Sequence, residues 1–373
     1  MRAVFFSTGF DGGGAERHFA RLVPGLVPSA EYRIALSIAP FSNDQAPRDL
    51  ECDGLGFRSG YDYPAVIRRL VRILDERRID LIYSISRCPN VVASAAAVIA
   101  KRRPVVVLGE NTRPLEAFRF SRRLRDAGWL ALQSGCFRAA DMVICNSEAA
   151  CREVVSHFGA DPAKVRLARN PLPAKPVWPA KKVAVPEAGP CDVVTASRLV
   201  PGKGLEDLID AWAGMKIHSG RLVVLGDGPL LGKLRDRAMR AGVDVTVSFP
   251  GWVDDPTPWL EKAALVVLAS YWEGLPNLVL EAMASGVPVL ATRSTSWIVD
   301  FEKAGAVEAV AVGDVAGLAA GIASFLASKE KQRRLGAKGR EIAADFQLED
   351  VVKERSLLLE EAWAIAEDRE SRA

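Results

Sequence analysis

Six prolines fall within the twenty residues 171–190, PLPAKPVWPAKKVAVPEAGP, and on either side of them the chain repeats one pattern. Proline lacks a backbone N–H and fixes φ, so this density forbids regular helix and predicts an extended connector. Before it, apolar runs at 3–7, 34–38, 81–84, 105–108 and 142–145 alternate with helical spacing. After it, runs at 192–196, 221–225, 245–249, 265–269 and 287–291 do the same. Such alternation predicts parallel sheets covered by helices in both halves. The expectation is an α/β chain of two Rossmann-like, doubly wound domains, 1–170 and 191–345, facing across a cleft and joined by the linker 171–190. Sheets of this kind take ligands at the carboxyl ends of their strands. At 373 residues each domain has enough chain for its own core.

Charge is divided unevenly. Residues 1–190 hold 28 Lys and Arg against 19 Asp and Glu, a net +9; the remainder holds 21 against 27, a net −6. A basic first half suggests an anionic partner there. The longest apolar stretch, 91–100, is too short and too alanine-rich to span a bilayer. MRAVFFSTGF reads as a first strand, since it lacks the apolar core and cleavage site of a signal peptide. Cys52, Cys88, Cys136, Cys145, Cys151 and Cys191 form no CxxC pair, which argues against a zinc site and a disulfide framework and for reduced thiols in the cytoplasm.

The segment 273–292, EGLPNLVLEAMASGVPVLAT, carries the most chemistry. It follows the apolar run 263–269, passes through Gly274, Leu275, Pro276 and Asn277, and resumes at helical spacing. That is a strand, a loop and a helix whose first-turn N–H groups can hold an anion such as phosphate. Glu273 lies at the mouth of the loop and Glu281 more than a turn into the helix. Carboxylates suit hydroxyls, because they only accept hydrogen bonds and a sugar diol presents two donors. By spacing alone, a capping acid and a solvated acid account for the pair equally well.

Taken whole, the segment resembles the nucleotide-sugar signature of glycosyltransferase family 4, the group 1 retaining enzymes with the two-domain GT-B fold. The two glutamates, Gly-Leu-Pro-Asn and Ala-Met-Ala-Ser-Gly-Val-Pro-Val carry the likeness. It implies that Glu273 meets the transferred sugar and Glu281 the nucleotide ribose, and that the C-terminal helix over 346–373 crosses back to the first domain.

SRLVPGKGLEDLIDAW follows the run 192–196 and sets Arg198 and Lys203 in a glycine-containing loop at a strand's carboxyl end. Two solvated loop cations would explain them equally well. The resemblance, close through Leu205, Leu208, Ile209 and Trp212, implies that both contact the donor diphosphate. Asp227, Asp254 and Asp255 fall in turns that need no catalytic explanation. The resemblance implies that backbone near Trp252 and Val253 faces the base. GGGAER joins the first strand to the first helix, and Gly13 and Gly14 there permit close approach to a ligand.

One departure stands out. Many family members carry a histidine in a Ser-Glu-His-Asn-like string after the strand at 105–108. Here the string is Gly109, Glu110, Asn111, Thr112, and Asn111 cannot carry a proton. Glu110, Asn111 and Arg113 are the acceptor-side candidates. His18, His157 and His218 read as surface residues. The segment 113–125 sets Arg113, Arg119, Arg122, Arg123 and Arg125 among apolar residues, suiting either a solvated face or contact with an anionic membrane or a phosphate-bearing acceptor. It has no nucleic-acid reading motif.

The resemblance implies a retaining hexosyltransferase acting on a nucleoside diphosphate sugar and a glycan or lipid-linked acceptor, in cell-surface polysaccharide or lipopolysaccharide synthesis. No Asp-x-Asp motif suggests a metal, and no cofactor is expected. A nucleotide-sugar epimerase and an inactive nucleotide-sugar-binding scaffold are the rival readings; the scarcity of histidines weighs against the first, and the intact donor-side residues weigh against the second.

Overall fold

Alternate residues of the apolar runs face opposite sides of a sheet, so each run feeds two cores at once. The structure is a computed structural model that describes residues 1–9, 14–38, 50–56, 62–115, 118, 124–172, 193–215, 220–253 and 255–371. Most of the proline-rich linker therefore lies outside the described residues.

The first unit comprises Met1–Pro171 and Leu348–Ala373. Its strands are β1 (Arg2–Ser7), β2 (Tyr32–Ser37), β3 (Glu51–Gly54), β4 (Leu81–Ile85), β5 (Val105–Glu110), β6 (Met142–Cys145) and β7 (Val165–Leu167). They pair in parallel in the order β3-β2-β1-β4-β5-β6-β7. The helices between them are α1 (Gly14–Leu22), α2 (Tyr63–Glu76), α3 (Arg87–Ile99), α4 (Leu124–Ala139) and α5 (Glu148–Ser156). From β1, Val4 and Phe6 enter a core with Leu36, Ile82 and Leu108, closed by Leu70 of α2, Ala96 of α3, Phe137 of α4 and Val154 of α5. Ala3 and Phe5 enter the opposite core with Tyr83 and Val107, closed by Phe19 of α1 and by Leu359 and Ala362 of the chain's final helix, Leu348–Ser371. That helix is more than a surface strap. Its buried Arg355 donates to the Tyr83 hydroxyl and, at 3.0 Å, to the Arg169 carbonyl, while Ser356 Oγ accepts from Val27 N at 3.0 Å.

The second unit is Leu172–Gln347. Strands β8 (Val193–Ala196), β9 (Leu222–Leu225), β10 (Val247–Gly251), β11 (Leu265–Leu268), β12 (Val289–Thr292) and β13 (Glu308–Val310) form a parallel sheet ordered β10-β9-β8-β11-β12-β13. Its helices are α6 (Leu205–Gly214), α7 (Leu231–Arg240), the short α8 (Thr257–Leu260), α9 (Asn277–Ala284), α10 (Ser296–Lys303), α11 (Val315–Ala327) and α12 (Lys329–Ala343). Val266 and Val289 pack against α9 and α10 through Val279, Met283, Ile298 and Phe301. Val193, Val267 and Leu290 pack against α6 and α11 through Leu208, Ile209, Ile322 and Phe325. Burying each such side chain contributes about 1.5–3 kcal/mol, which places the stability of each unit in its own pair of cores.

Three strands, β3, β7 and β13, have no counterpart among the ten predicted runs. All are sheet edges of three or four residues, and none is buried throughout, so ECDG, VRL and EAV carry no apolar run to read. Among the described residues no helix is long and apolar enough to cross a membrane.

Candidate active site

In each sheet the strand order reverses beside the first strand of its unit, between β1 and β4 and between β8 and β11. Such a reversal opens a crevice at the strands' carboxyl ends, because the flanking connections leave in opposite directions. In the second unit, the loops emerging from β8 and β11 are the two that carry the sequence-predicted cation and carboxylate.

Those loops touch because glycine lets them. Gly202 has φ +91°, and a Cβ there would fall 1.8 Å from the Trp272 ring; Gly204 has φ +62°, and a Cβ there would fall 1.9 Å from the Ala269 carbonyl oxygen. Tyr271 N donates to the Gly202 carbonyl at 2.8 Å, and Tyr271 Oη donates to Asp207 of α6 at 2.7 Å. The result brings together residues seventy positions apart. Lys203 Nζ stands 2.7 Å from Glu273 Oε1, with side chains only 24% and 16% exposed. Ser270 Oγ donates to the same oxygen at 2.7 Å. Glu273 Oε2 has no partner among the described residues. The Glu273 N–H donates to the Ser294 carbonyl at 3.2 Å, which ties the loop to the end of β12.

Gly274 and Leu275 are buried behind Glu273, and Pro276 starts α9 without a side-chain cap. Asn277 is the first residue of that helix, and Glu281, half-buried, is its fifth. Arg198 is exposed on the loop that bears Lys203, and its guanidinium has no hydrogen bond or ion pair among the described residues. The neighbouring loop after β9 locks onto it: Leu199 N donates to Asp227 O at 2.8 Å, and a Cβ on Gly226 would lie 1.8 Å from Ser197 O. Gly226 N donates in turn to Gly251 O at 2.8 Å, at the end of β10, next to Trp252, which is 41% exposed, and the buried Val253. Asp227 and Asp255 act as turn residues, accepting from Gly228 N and Thr257 N; Asp254 lies outside the described residues.

In the segments that follow the strands of this unit, three buried polar atoms have no hydrogen-bond partner among the described residues: Ser197 Oγ, Asn277 Oδ1 and Thr295 Oγ1. They follow β8, β11 and β12, three adjacent strands. Each orphan costs about 1–3 kcal/mol, so their grouping at one set of strand ends marks a place built for a polar ligand.

The first unit carries its own polar cluster at the ends of β5 and β6. Glu110, 3% exposed, accepts from Thr112 N at 2.9 Å and Thr112 Oγ1 at 2.7 Å, and Gln133 Nε2 approaches its other oxygen at 3.4 Å. Burial pushes its carboxyl up from 4.5 to about 6; the Thr112 hydrogen bonds and Arg87 offset part of the rise, and Glu153 adds to it. Asn111 offers its carbonyl to Asn146 Nδ2 at 3.2 Å. Arg113 Nε lies 3.4 Å from Glu153 Oε2 of α5, an ion pair that orders the loop locally. At the end of β4, Ser86 takes φ +76°, unusual for a residue with a side chain, and its Oγ donates to Glu16 of α1 at 3.4 Å.

Two readings of the first unit need correction. His18 is not on the surface: it is buried on the inner side of α1, beside Phe19. Gly14 is the first residue of α1 rather than part of the loop, while Gly13 lies outside the described residues. His157 is exposed, and His218 is outside the described residues, as is most of 113–125. Sequence reasoning also passed over Trp272, Ser270, Gln133, Ser86 and Thr295. None of these carried a local sequence signal; Trp272 is recognised only in the structure, as the ring that a Cβ at Gly202 would meet. Among the described residues no group of three or more His, Cys, Asp and Glu is placed to hold a metal ion.

Comparison with known proteins assigns both units. Residues 190–328 match the family model described as "Glycosyl transferases group 1", and residues 12–174 match "Glycosyltransferase Family 4". The chain is 30% identical over 353 residues to the lipopolysaccharide core biosynthesis glycosyltransferase LpsE of Rhizobium meliloti, covering 91% of this chain and 93% of that protein. It is 29% identical over 252 residues to glycogen synthase of Mycobacterium tuberculosis, 61% of this chain and 58% of that protein. Among solved structures, Anabaena HepE in complex with UDP-glucose superposes with a TM-score of 0.79 at 20% identity, over 97% of this chain and all of that one. WaaG, a glycosyltransferase involved in lipopolysaccharide biosynthesis, does so with a TM-score of 0.75 at 15% identity, over 96% and 99%. The two superpositions establish a shared GT-B fold.

Proposed function

Since the chain belongs to the family 4, group 1 glycosyltransferases, we propose that it transfers a hexose, with retention of configuration, from a nucleoside diphosphate sugar to a glycan or lipid-linked acceptor. The likeness to LpsE supports a role in lipopolysaccharide or related cell-surface polysaccharide assembly. The observation that carries the donor assignment is the Lys203–Glu273 contact at the β8/β11 reversal, together with a second Glu273 oxygen and three buried polar atoms at neighbouring strand ends that have no partner among the described residues.

A diphosphate leaving group needs charge stabilisation more than it needs a proton. Lys203, the exposed Arg198 and the N-terminus of α9, with the backbone near Gly274, Leu275 and Asn277, supply it. Without donor, Lys203 is neutralised by Glu273; a bound diphosphate gives it a second anion, while Glu273 Oε2 accepts from a hydroxyl of the transferred sugar. Glu281 accepts from the ribose diol, and backbone at Trp252 and Val253 meets the base. Acceptor attack on the face that the diphosphate leaves retains configuration without a covalent enzyme intermediate, and needs neither metal nor cofactor.

Glu110 and Asn111 would position the acceptor, with Arg113 holding their loop in place. The basic surplus of residues 1–190, including 113–125, suits work at the cytoplasmic face of an anionic membrane. UDP is the first nucleotide to try, because the HepE structures hold UDP and UDP-glucose.

The test is a melting screen of UDP, GDP and their glucose and mannose conjugates, followed by transfer assays of wild type and Glu273→Ala, with the product anomer read by NMR. Stabilisation by one nucleotide family, with transfer reduced about 100-fold or more in Glu273→Ala, is expected. Full activity and normal donor affinity in the variant would remove Glu273 from the site, and an inverted product would refute retention.

A further inference from the structure

The backbone bond that fixes Glu273 leads to a residue with no part in the scheme above. Its acceptor is the Ser294 carbonyl, and the next residue, Thr295, is the N-cap of α10. A threonine there ordinarily accepts a first-turn N–H. The Thr295 hydroxyl caps nothing, although the residue is only 5% exposed, and it has no partner among the described residues. Its neighbours are occupied: Ser294 Oγ donates to Thr292 O at 3.3 Å, and Thr292 Oγ1 donates to Ser270 O at 2.5 Å. The start of α10 is also held rigidly, since Trp297 packs edge-on against Phe346 at 5.7 Å and Ile298 is buried in the core. A fixed helix N-terminus therefore stands with a free, buried hydroxyl one residue from the carbonyl that positions Glu273.

We propose that Thr295 and the N-terminus of α10 form a subsite for a neutral hydroxyl of the transferred sugar, next to the one held by Glu273. The two sides are complementary. Glu273 Oε2 can only accept, whereas a threonine hydroxyl and first-turn N–H groups can donate. A sugar hydroxyl both donates and accepts, so a vicinal pair can bridge the two. A uronic carboxylate would gain from the helix dipole, but it would lie beside the Glu273 charge. A neutral hydroxyl meets no such opposition. The inference rests on the donor site proposed above and gives its sugar pocket a second wall.

The test uses titration calorimetry of wild type, Thr295→Val and Thr295→Ser with UDP and UDP-glucose, and with GDP and GDP-mannose as the second pair. Valine keeps the shape and removes a hydroxyl that caps nothing, so the melting temperature is held or raised. Thr295→Val is expected to leave diphosphate affinity within about twofold, weaken the matching nucleotide sugar about five- to tenfold, and be rescued by Thr295→Ser. Equal loss for diphosphate and sugar, no loss for the sugar, no rescue by serine, or a lowered melting temperature would each overturn the assignment. Preference of wild type for UDP-glucuronic acid over UDP-glucose, lost in Thr295→Val, would overturn the neutral hydroxyl in favour of a carboxylate. If wild type bound none of these compounds, the donor site would fall and this subsite with it. Donor binding unchanged in Thr295→Val would overturn the subsite alone.

Discussion

Glu110→Gln should stabilise the first unit at neutral pH and lose that advantage in acid. Burial raises the Glu110 carboxyl from 4.5 to about 6, outweighing the two hydrogen bonds from Thr112 and the pull of Arg87. A folded value above the unfolded one means that the neutral acid is the form the fold prefers. Its stabilising contribution is therefore complete below about pH 4.5, declines between, and is lost above about pH 6. At about 1.4 kcal/mol per pH unit, the swing is roughly 2 kcal/mol. Glutamine is permanently neutral and can keep the local bonds: its oxygen accepts from Thr112, and its amide nitrogen donates to Gln133, whose buried Oε1 has no partner among the described residues. Thermal melts of both proteins from pH 4.5 to 8 would measure it. The gap in favour of Glu110→Gln should open with rising pH and approach about 4–8 °C for a unit of this size. A gap that stays constant with pH, or widens towards acid, would refute the burial argument.

Two further outcomes follow from the second unit. Gly204→Ala must combine φ +62° with a Cβ 1.9 Å from a backbone oxygen, so it should cost about 3 kcal/mol or more and weaken nucleotide binding. Gly242→Ala, with φ +69° and nothing within 4 Å, should cost only about 1–2 kcal/mol in the same melts; equal losses would show that the loop contact is unimportant. Lys203→Met leaves Glu273 without its cation and should lower nucleoside diphosphate affinity about 10- to 100-fold, with a weaker salt dependence in calorimetry; unchanged affinity would remove Lys203 from the phosphate site.

What could be read before the structure was whatever depends on local pattern. Nine of the ten strands read from the sequence lie inside their sheets and show as apolar runs, while the edge strand β10 shows through Val245, Val247 and Phe249; the loops after β8 and β11 show because their glycines, prolines and charges crowd into short segments. The edge strands β3, β7 and β13 were illegible because three or four half-exposed residues carry no periodic signal. His18 was misread because one polar residue on a short helix does not declare which face it occupies. Lys203 and Glu273 were each visible, but their contact was not: it depends on Gly202, Gly204 and Trp272 fitting together across seventy residues. Thr295 gave no signal at all, since a threonine before a helix looks like an ordinary cap and only the absence of its capping bond sets it apart.

The proposed donor residues from Arg198 to Glu281 belong to the second unit, which has its own cores on both faces of its sheet. Glu110, Asn111 and Arg113 belong to the first. This division gives the substitutions different signatures. Changes at Lys203, Glu273 or Thr295 should alter nucleotide or nucleotide-sugar affinity in binding experiments that contain no acceptor. Glu110→Gln should leave those affinities unchanged while shifting the pH dependence of the melt and the acceptor KM. A loss of UDP or GDP binding in Glu110→Gln would contradict the division, because Glu110 belongs to the first unit and the proposed diphosphate residues Arg198 and Lys203 belong to the second.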